Sequence, residues 1–196
     1  MIGEKRLACD PAPADDLAAH VPVFTDLDST RCIGLWAIID HLEGNYPDYP
    51  LIPEDAAARG EALRWLDWAM SVFAENVTRK IVYEKANPRY TGSPTRGTPD
   101  MNIVRTGRLA LGEALTVLVK TIGENGNLAG RVCTIADLAL AAQFSALDYF
   151  GEVGWDSHPV MREWYVRMKS RPSFRSLLGD RVPGQPPVAQ YAELDF

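Results

Sequence analysis

Apolar residues along this chain fall into stretches of different period, separated by runs of proline, glycine and charge. The segment HVPVFTDLDSTRCIGLWAI, His20 to Ile38, alternates apolar and polar residues, turns through Asp, Ser and Thr, and then enters a helix start. The spacing predicts a short helix over Trp36–Leu42. The stretch NYPDYPLIPED follows, and its three prolines predict a break between two parts of the molecule. Beyond it Leu63, Leu66, Met70, Phe73, Val77 and Ile81 recur at spacings of three and four, one apolar face of a long helix. Proline and glycine break the pattern over 86–100, and Val104, Leu111, Leu115, Leu118 and Ile122 then take up the helical period again. TIADLALAAQFSALDYF is apolar nearly all round, which places its helix at the centre of a bundle.

At the start of that central segment Thr134 and Asp137 stand in the spacing of a capping box, with Asp in place of the usual Glu or Gln. The spacing favours a structural role for this carboxylate over a catalytic one. DSHPVMREWYVRMKSRP predicts one more helix, with Pro159 in the first turn and with Val160, Trp164 and Met168 facing inward. The chain then ends in a proline-rich tail.

Composition narrows the class. With 196 residues, 46% apolar, the chain can bury a sizeable core, and its net charge of −6 argues against nucleic acid or an anionic membrane as a partner. No apolar run approaches the roughly 20 residues of a membrane span, so a cytoplasmic protein is expected. Cys9, Cys32 and Cys133 lie far apart, and His20, His41 and His158 share no ligand spacing with them, so neither a disulfide framework nor a metal site is indicated. Trp36, Trp65, Trp68, Trp155 and Trp164 are expected in core or interdomain packing, Trp155 being the least explained. One departure from the acidic average stands out. Arg79, Lys80, Lys85, Arg89, Arg96, Arg105 and Arg108 face only Glu84 and Asp100 in the same stretch, a candidate contact for an acidic partner.

Taken together, Val21-Pro22, the linker YPDYPLIPED and the capped central segment LAGRVCTIADLALAAQ resemble the glutathione S-transferase superfamily over about Val21–Phe174. The resemblance implies a mostly α fold: an all-helical bundle like the C-terminal domain of that superfamily, preceded by a truncated thioredoxin-like α/β remnant. It divides the chain into a partial thioredoxin-like part at 1–45, a linker at 46–56, a helical domain at 57–175 and a tail at 176–196. It also implies a cis-proline turn at Val21-Pro22. Enzymes of the superfamily carry a Tyr, Ser or Cys by their first strand; that strand is missing here, IGEKRL resembling the end of the first helix, so no catalytic residue is assigned.

Where those enzymes hold the γ-glutamyl carboxylate with a Glu/Gln-Ser pair after the Val-Pro turn, this chain has Ile33 and Gly34. Val21, Pro22, Ile33 and Gly34 thus read as a vestigial glutathione site, and no cofactor is expected. YEKANPRY, GTPDMNIVRTGR, LDYFGEVGW and the ending KSRPSFRSLLGDRVPGQPPVAQYAELDF resemble, more narrowly, a bacterial division branch of the superfamily that binds the tubulin-like filament protein FtsZ. That implies a protein-binding factor with Arg105, Arg108, Tyr191, Leu194, Asp195 and Phe196 as candidate partner-binding residues. A homodimer stays open. The alternative is a glutathione transferase, using glutathione, whose catalytic strand is absent from this sequence.

Overall fold

A computed structural model describes residues 1–11, 21–86, 98–182 and 184–194. The chain divides into two compact units, Met1–Ile52 and Pro53–Phe196.

In the first unit a short antiparallel hairpin joins β1 (Val23–Thr25) to β2 (Arg31–Ile33), with Phe24 opposite Cys32. The turn is polar. Asp28 accepts from the Thr30 amide through Oδ1 (2.8 Å), and Ser29 takes a positive φ of 71°. No cis peptide bond occurs among the described residues, so Val21-Pro22 is trans, against expectation: the extended bond leads directly into β1, and the Pro22 carbonyl accepts from the Gly34 amide (2.8 Å). The helix α1 (Leu35–Asn45) buries Ile39 and Leu42. Leu51 and Ile52 are buried too, because Glu43 on α1 accepts from both of their amides and pairs with Lys5 (2.9 Å). The proline stretch is therefore strapped to α1 at its far end. Trp36, expected in packing, is 51% exposed.

The second unit is helical. Asp55 caps α2 (Ala56–Trp68) by accepting from the Ala58 amide (2.9 Å). The helix runs on through a wider, π-type stretch over Ala69–Tyr83, where the buried residues Ala69, Phe73, Val77 and Ile81 recur at every fourth position. The widened turns move the inner face, so Met70 points to solvent and Ala69 takes its place. Helix α3 (Met101–Asn125) starts at an Asp100 cap and buries Val104, Leu111, Leu115, Leu118 and Ile122, the stripe its spacing predicts. Helix α4 (Ile135–Tyr149) is buried along most of its length.

Phe144 of α4 sits at the centre of the core, with the rings of Phe73, Trp155, Trp164 and Tyr165 between 5.4 and 6.4 Å from its own. Helix α5 (Pro159–Lys169) supplies the last two of those residues, and α6 (Arg175–Gly179) is a short addition. The inner face of α5 differs from the expected one: Met161, Trp164, Tyr165, Met168 and Lys169 are buried and Val160 only partly so.

Candidate functional surface

The turn before α1 can be judged as a ligand site by its atoms. Gly34 takes φ 90°, a conformation in which a side chain would be strained, and its carbonyl starts α1 by accepting from the Ile38 amide (3.2 Å). No side chain caps this helix and no acidic residue lies in its first turn. Ile33 projects an aliphatic side chain that is 54% exposed, and Val21 is exposed as well. The position therefore offers backbone amides but no side-chain oxygen for a ligand's ammonium or carboxylate.

Near it lies a polar clasp that the sequence pattern did not reveal. Asp26 accepts from the Tyr46 hydroxyl (2.5 Å) and pairs with His41 Nε2 (2.6 Å), while Asn45 approaches His41 Nδ1 (3.1 Å). The Tyr46 and His41 hydrogen bonds hold the Asp26 carboxyl down to about 2. Both ring nitrogens of His41 are engaged, which makes the group a fastener of the hairpin turn to α1.

In the helical unit Asp137 is fully buried. Its Oδ2 accepts from the Thr134 amide (2.9 Å) and hydroxyl (3.1 Å), and its Oδ1 from the Leu128 amide (2.9 Å) and Trp164 Nε1 (3.3 Å). The reciprocal capping box of Thr134 and Asp137 is present. The carboxylate thus ties together the loop before α4, the start of α4 and α5, leaving it no access to a substrate.

A second buried carboxylate, Asp148 at the end of α4, accepts from Trp155 Nε1 (2.8 Å) and lies 3.6 Å from the buried ammonium of Lys169. Burial pushes the Asp148 carboxyl up and the Lys169 ammonium down. Trp155 stacks on Tyr165 with centroids 4.7 Å apart and planes 7° off parallel, which accounts for this loop tryptophan. Lys169 also donates to the Gln190 carbonyl (3.4 Å), and Tyr191 exchanges a hydrogen bond with Ser145 (3.0 Å). The signal for this network was the Asp inside the otherwise apolar SALDYF; Lys169 reads in sequence as an ordinary last-turn cation.

The six candidate partner-binding residues separate by exposure. Arg105 and Leu194 are exposed. Tyr191 is buried against Tyr149 and Leu178, so it anchors the tail instead of meeting a partner. Arg108 keeps about half of its side chain exposed but forms a two-pronged ion pair with Glu152 (2.7 and 2.9 Å). Asp195 and Phe196 lie outside the described residues, as do Arg89 and Arg96. The turn that carries Glu152 also seats the tail: the Val188 amide donates to the Tyr149 carbonyl (3.2 Å), and Gly151 leaves room for the Val188 side chain. Among the described residues no group of three or more His, Cys, Asp or Glu could hold a metal ion, and no helix is long and apolar enough to cross a membrane.

No protein-family model matches the chain. Over 160 residues it is 39% identical to FtsZ-localized protein A of Caulobacter vibrioides, an alignment covering 82% of this chain and 69% of that protein. The chain belongs to the FtsZ-localized protein A family. The structure of FzlA from C. crescentus matches with a TM-score of 0.91 and 34% identity, over 100% of this chain and 91% of that one. A glutathione S-transferase from Rhodospirillum rubrum F11 matches equally, with a TM-score of 0.91, 34% identity and the same coverage. Another from Sinorhizobium meliloti 1021 gives 0.83 and 36%, over 92% of this chain and 82% of that one. Family and structure agree on the expected fold, a glutathione S-transferase-like helical bundle preceded by a small two-stranded remnant.

Proposed function

We propose that this protein is a glutathione S-transferase-like cell-division factor that acts in the cytoplasm by binding FtsZ filaments, without transferring glutathione. The observation that carries this reading is the 39% identity to FtsZ-localized protein A across 160 residues, which include most of the helical unit. The chemistry of the turn before α1 is consistent with it, since Ile33 and Gly34 supply no side-chain hook for glutathione. Leu194, three residues beyond the buried Tyr191 anchor, is exposed and available to a partner.

Co-sedimentation tests the reading. Purified protein should pellet with GTP-assembled FtsZ filaments and stay in solution without them; protein that remains in the supernatant at every filament concentration would overturn it. Asp195→Lys should weaken pelleting while leaving the melting temperature unchanged. A second reading, glutathione transfer, is favoured by the likeness to the R. rubrum protein. Calorimetry separates the two, because a micromolar dissociation constant for glutathione contradicts the binding-factor reading of positions 33 and 34.

A further inference from the structure

The basic run read from the sequence is not one uniform patch in the folded protein. Arg79 is paired with Glu75 (3.0 Å). Among the described residues Lys80 meets a neutral acceptor, Asn76 Oδ1 (3.2 Å), and no charged partner. Gly107 brings the π-type stretch and α3 together: a Cβ there would stand 2.7 Å from Ile81 Cγ1 and 3.0 Å from Lys80 Cβ. Lys80 therefore lies on the segment packed against Gly107, the residue before Arg108, and Arg105 stands three residues before Arg108 on α3. Arg105 has no charged or hydrogen-bonding side-chain partner among the described residues.

Glu152 completes the arrangement. Its side chain is 3% exposed, Arg108 grips it with two hydrogen bonds, and Lys85 is ion-paired to the same carboxylate. Burial pushes the Glu152 carboxyl up, but the hydrogen bonds from Arg108 and Lys85 outweigh it and hold the group below its ordinary range. One carboxylate thus serves two cations. The acids within the run are used elsewhere: Glu84 accepts from the Asp100 amide (3.1 Å), and Asp100 from the Asn102 amide (2.8 Å), where the start of α3 offsets their charge. A local cationic surface on a chain of net charge −6 is not a by-product of composition.

We propose that Lys80, Lys85, Arg105 and Arg108 form a docking surface for an acidic, extended protein segment, and that Glu152 is its built-in competitor. The buried Glu152 carboxylate stands where a partner carboxylate would otherwise engage Arg108 and Lys85. Charge complementarity selects the occupant, and the net negative charge of the whole chain disfavours the much denser phosphate array of a nucleic acid. That the acidic segment belongs to a division filament rests on the function proposed above; the surface itself does not.

The test uses the intact protein, a fluorescein-labelled peptide of alternating Glu and Gly read by anisotropy, and FtsZ filaments read by co-sedimentation. Arg105→Glu should weaken peptide binding about five- to tenfold at low ionic strength, with the gap closing at high salt. Arg59→Glu, the same charge change on an exposed position of α2, should leave binding within about twofold of the parent. Glu152→Gln should tighten binding a few-fold, because it removes the competitor and leaves the cations in place. If Glu152→Gln does not fold, Arg105→Glu still decides, since that side chain is exposed.

The surface is overturned if Arg105→Glu and Arg59→Glu bind the peptide alike, or if duplex DNA binds as tightly as the peptide. A folded Glu152→Gln that binds more weakly than the parent overturns the competitor role. Filament pelleting that is insensitive to Arg105→Glu also removes the surface while leaving the proposed function standing. A salt-dependent peptide effect without any filament pelleting does the opposite.

Discussion

The first unit is fastened largely by charged clasps, whereas the second is held by an apolar interior that encloses a few polar groups. Among the described residues of Met1–Ile52 the buried apolar ones are Cys32, Ile39, Leu42, Leu51 and Ile52, while Val21, Val23, Leu27, Ile33, Trp36 and Tyr49 face solvent. A hairpin and one helix cannot bury enough apolar surface to offset their conformational entropy. Lys5 on Glu43, and His41 and Tyr46 on Asp26, supply the remaining constraints. In Pro53–Phe196 the stacked rings around Phe144 do that work, and carboxylates enter only where several donors meet them. The two units should therefore answer to different perturbations: the first to acid, the second to changes of interior shape.

The largest effect is expected from Asp137→Ala. It leaves the buried donors of Thr134, Leu128 and Trp164 without an acceptor, and the second unit should lose about 3 kcal/mol in urea unfolding followed by far-ultraviolet circular dichroism. A variant that unfolds with the parent would show that the interior does not depend on this carboxylate. Next comes Gly107→Ala, in which the added methyl meets the buried Ile81 side chain; a cost of about 1–2 kcal/mol should remain after the gain in helix propensity. An unchanged or raised midpoint would mean that the two helices separate at little cost.

Acid should act on the first unit. Because the folded Asp26 carboxyl is held down to about 2, below its value in the unfolded chain, its contribution is complete above about pH 4 and is lost as the pH falls toward 2. Amide resonances of β1 and β2 should broaden or shift in that window, and Asp26→Asn should remove the transition; a hairpin insensitive to acid would erase the contrast between the units. The smallest effect is expected for Arg64→Ala. That residue pairs with Glu61 on the exposed face of α2, and removing it should change stability by less than about 0.5 kcal/mol. A larger loss would show that surface ion pairs support the second unit as well.

Much of the second unit was legible because a helix with one buried face repeats its apolar residues, as the α3 stripe from Val104 to Ile122 does. The capping box could be read for the same reason, its partners being three residues apart. What could not be read is set by groups distant in sequence. Met70 and Ala69 exchange roles because the turns widen, and Val160 gives way to Tyr165 and Lys169 because α5 is oriented by Phe144, Asp148 and the tail. Likewise the candidate surface was seen as a run of charge, but its grouping was not. Lys80 meets α3 at Gly107, and Glu152 selects two cations from 44 and 67 positions away.

The exposure of Trp36 has an optical consequence. Of the five tryptophans it alone lies in the first unit; Trp65, Trp155 and Trp164 are enclosed in the second. A water-soluble quencher such as iodide should extinguish the red-shifted emission of Trp36 first and leave the blue-shifted remainder glowing. The hairpin and its helix thus carry an intrinsic lamp of their own, by which their loosening can be watched while the helical unit stays intact.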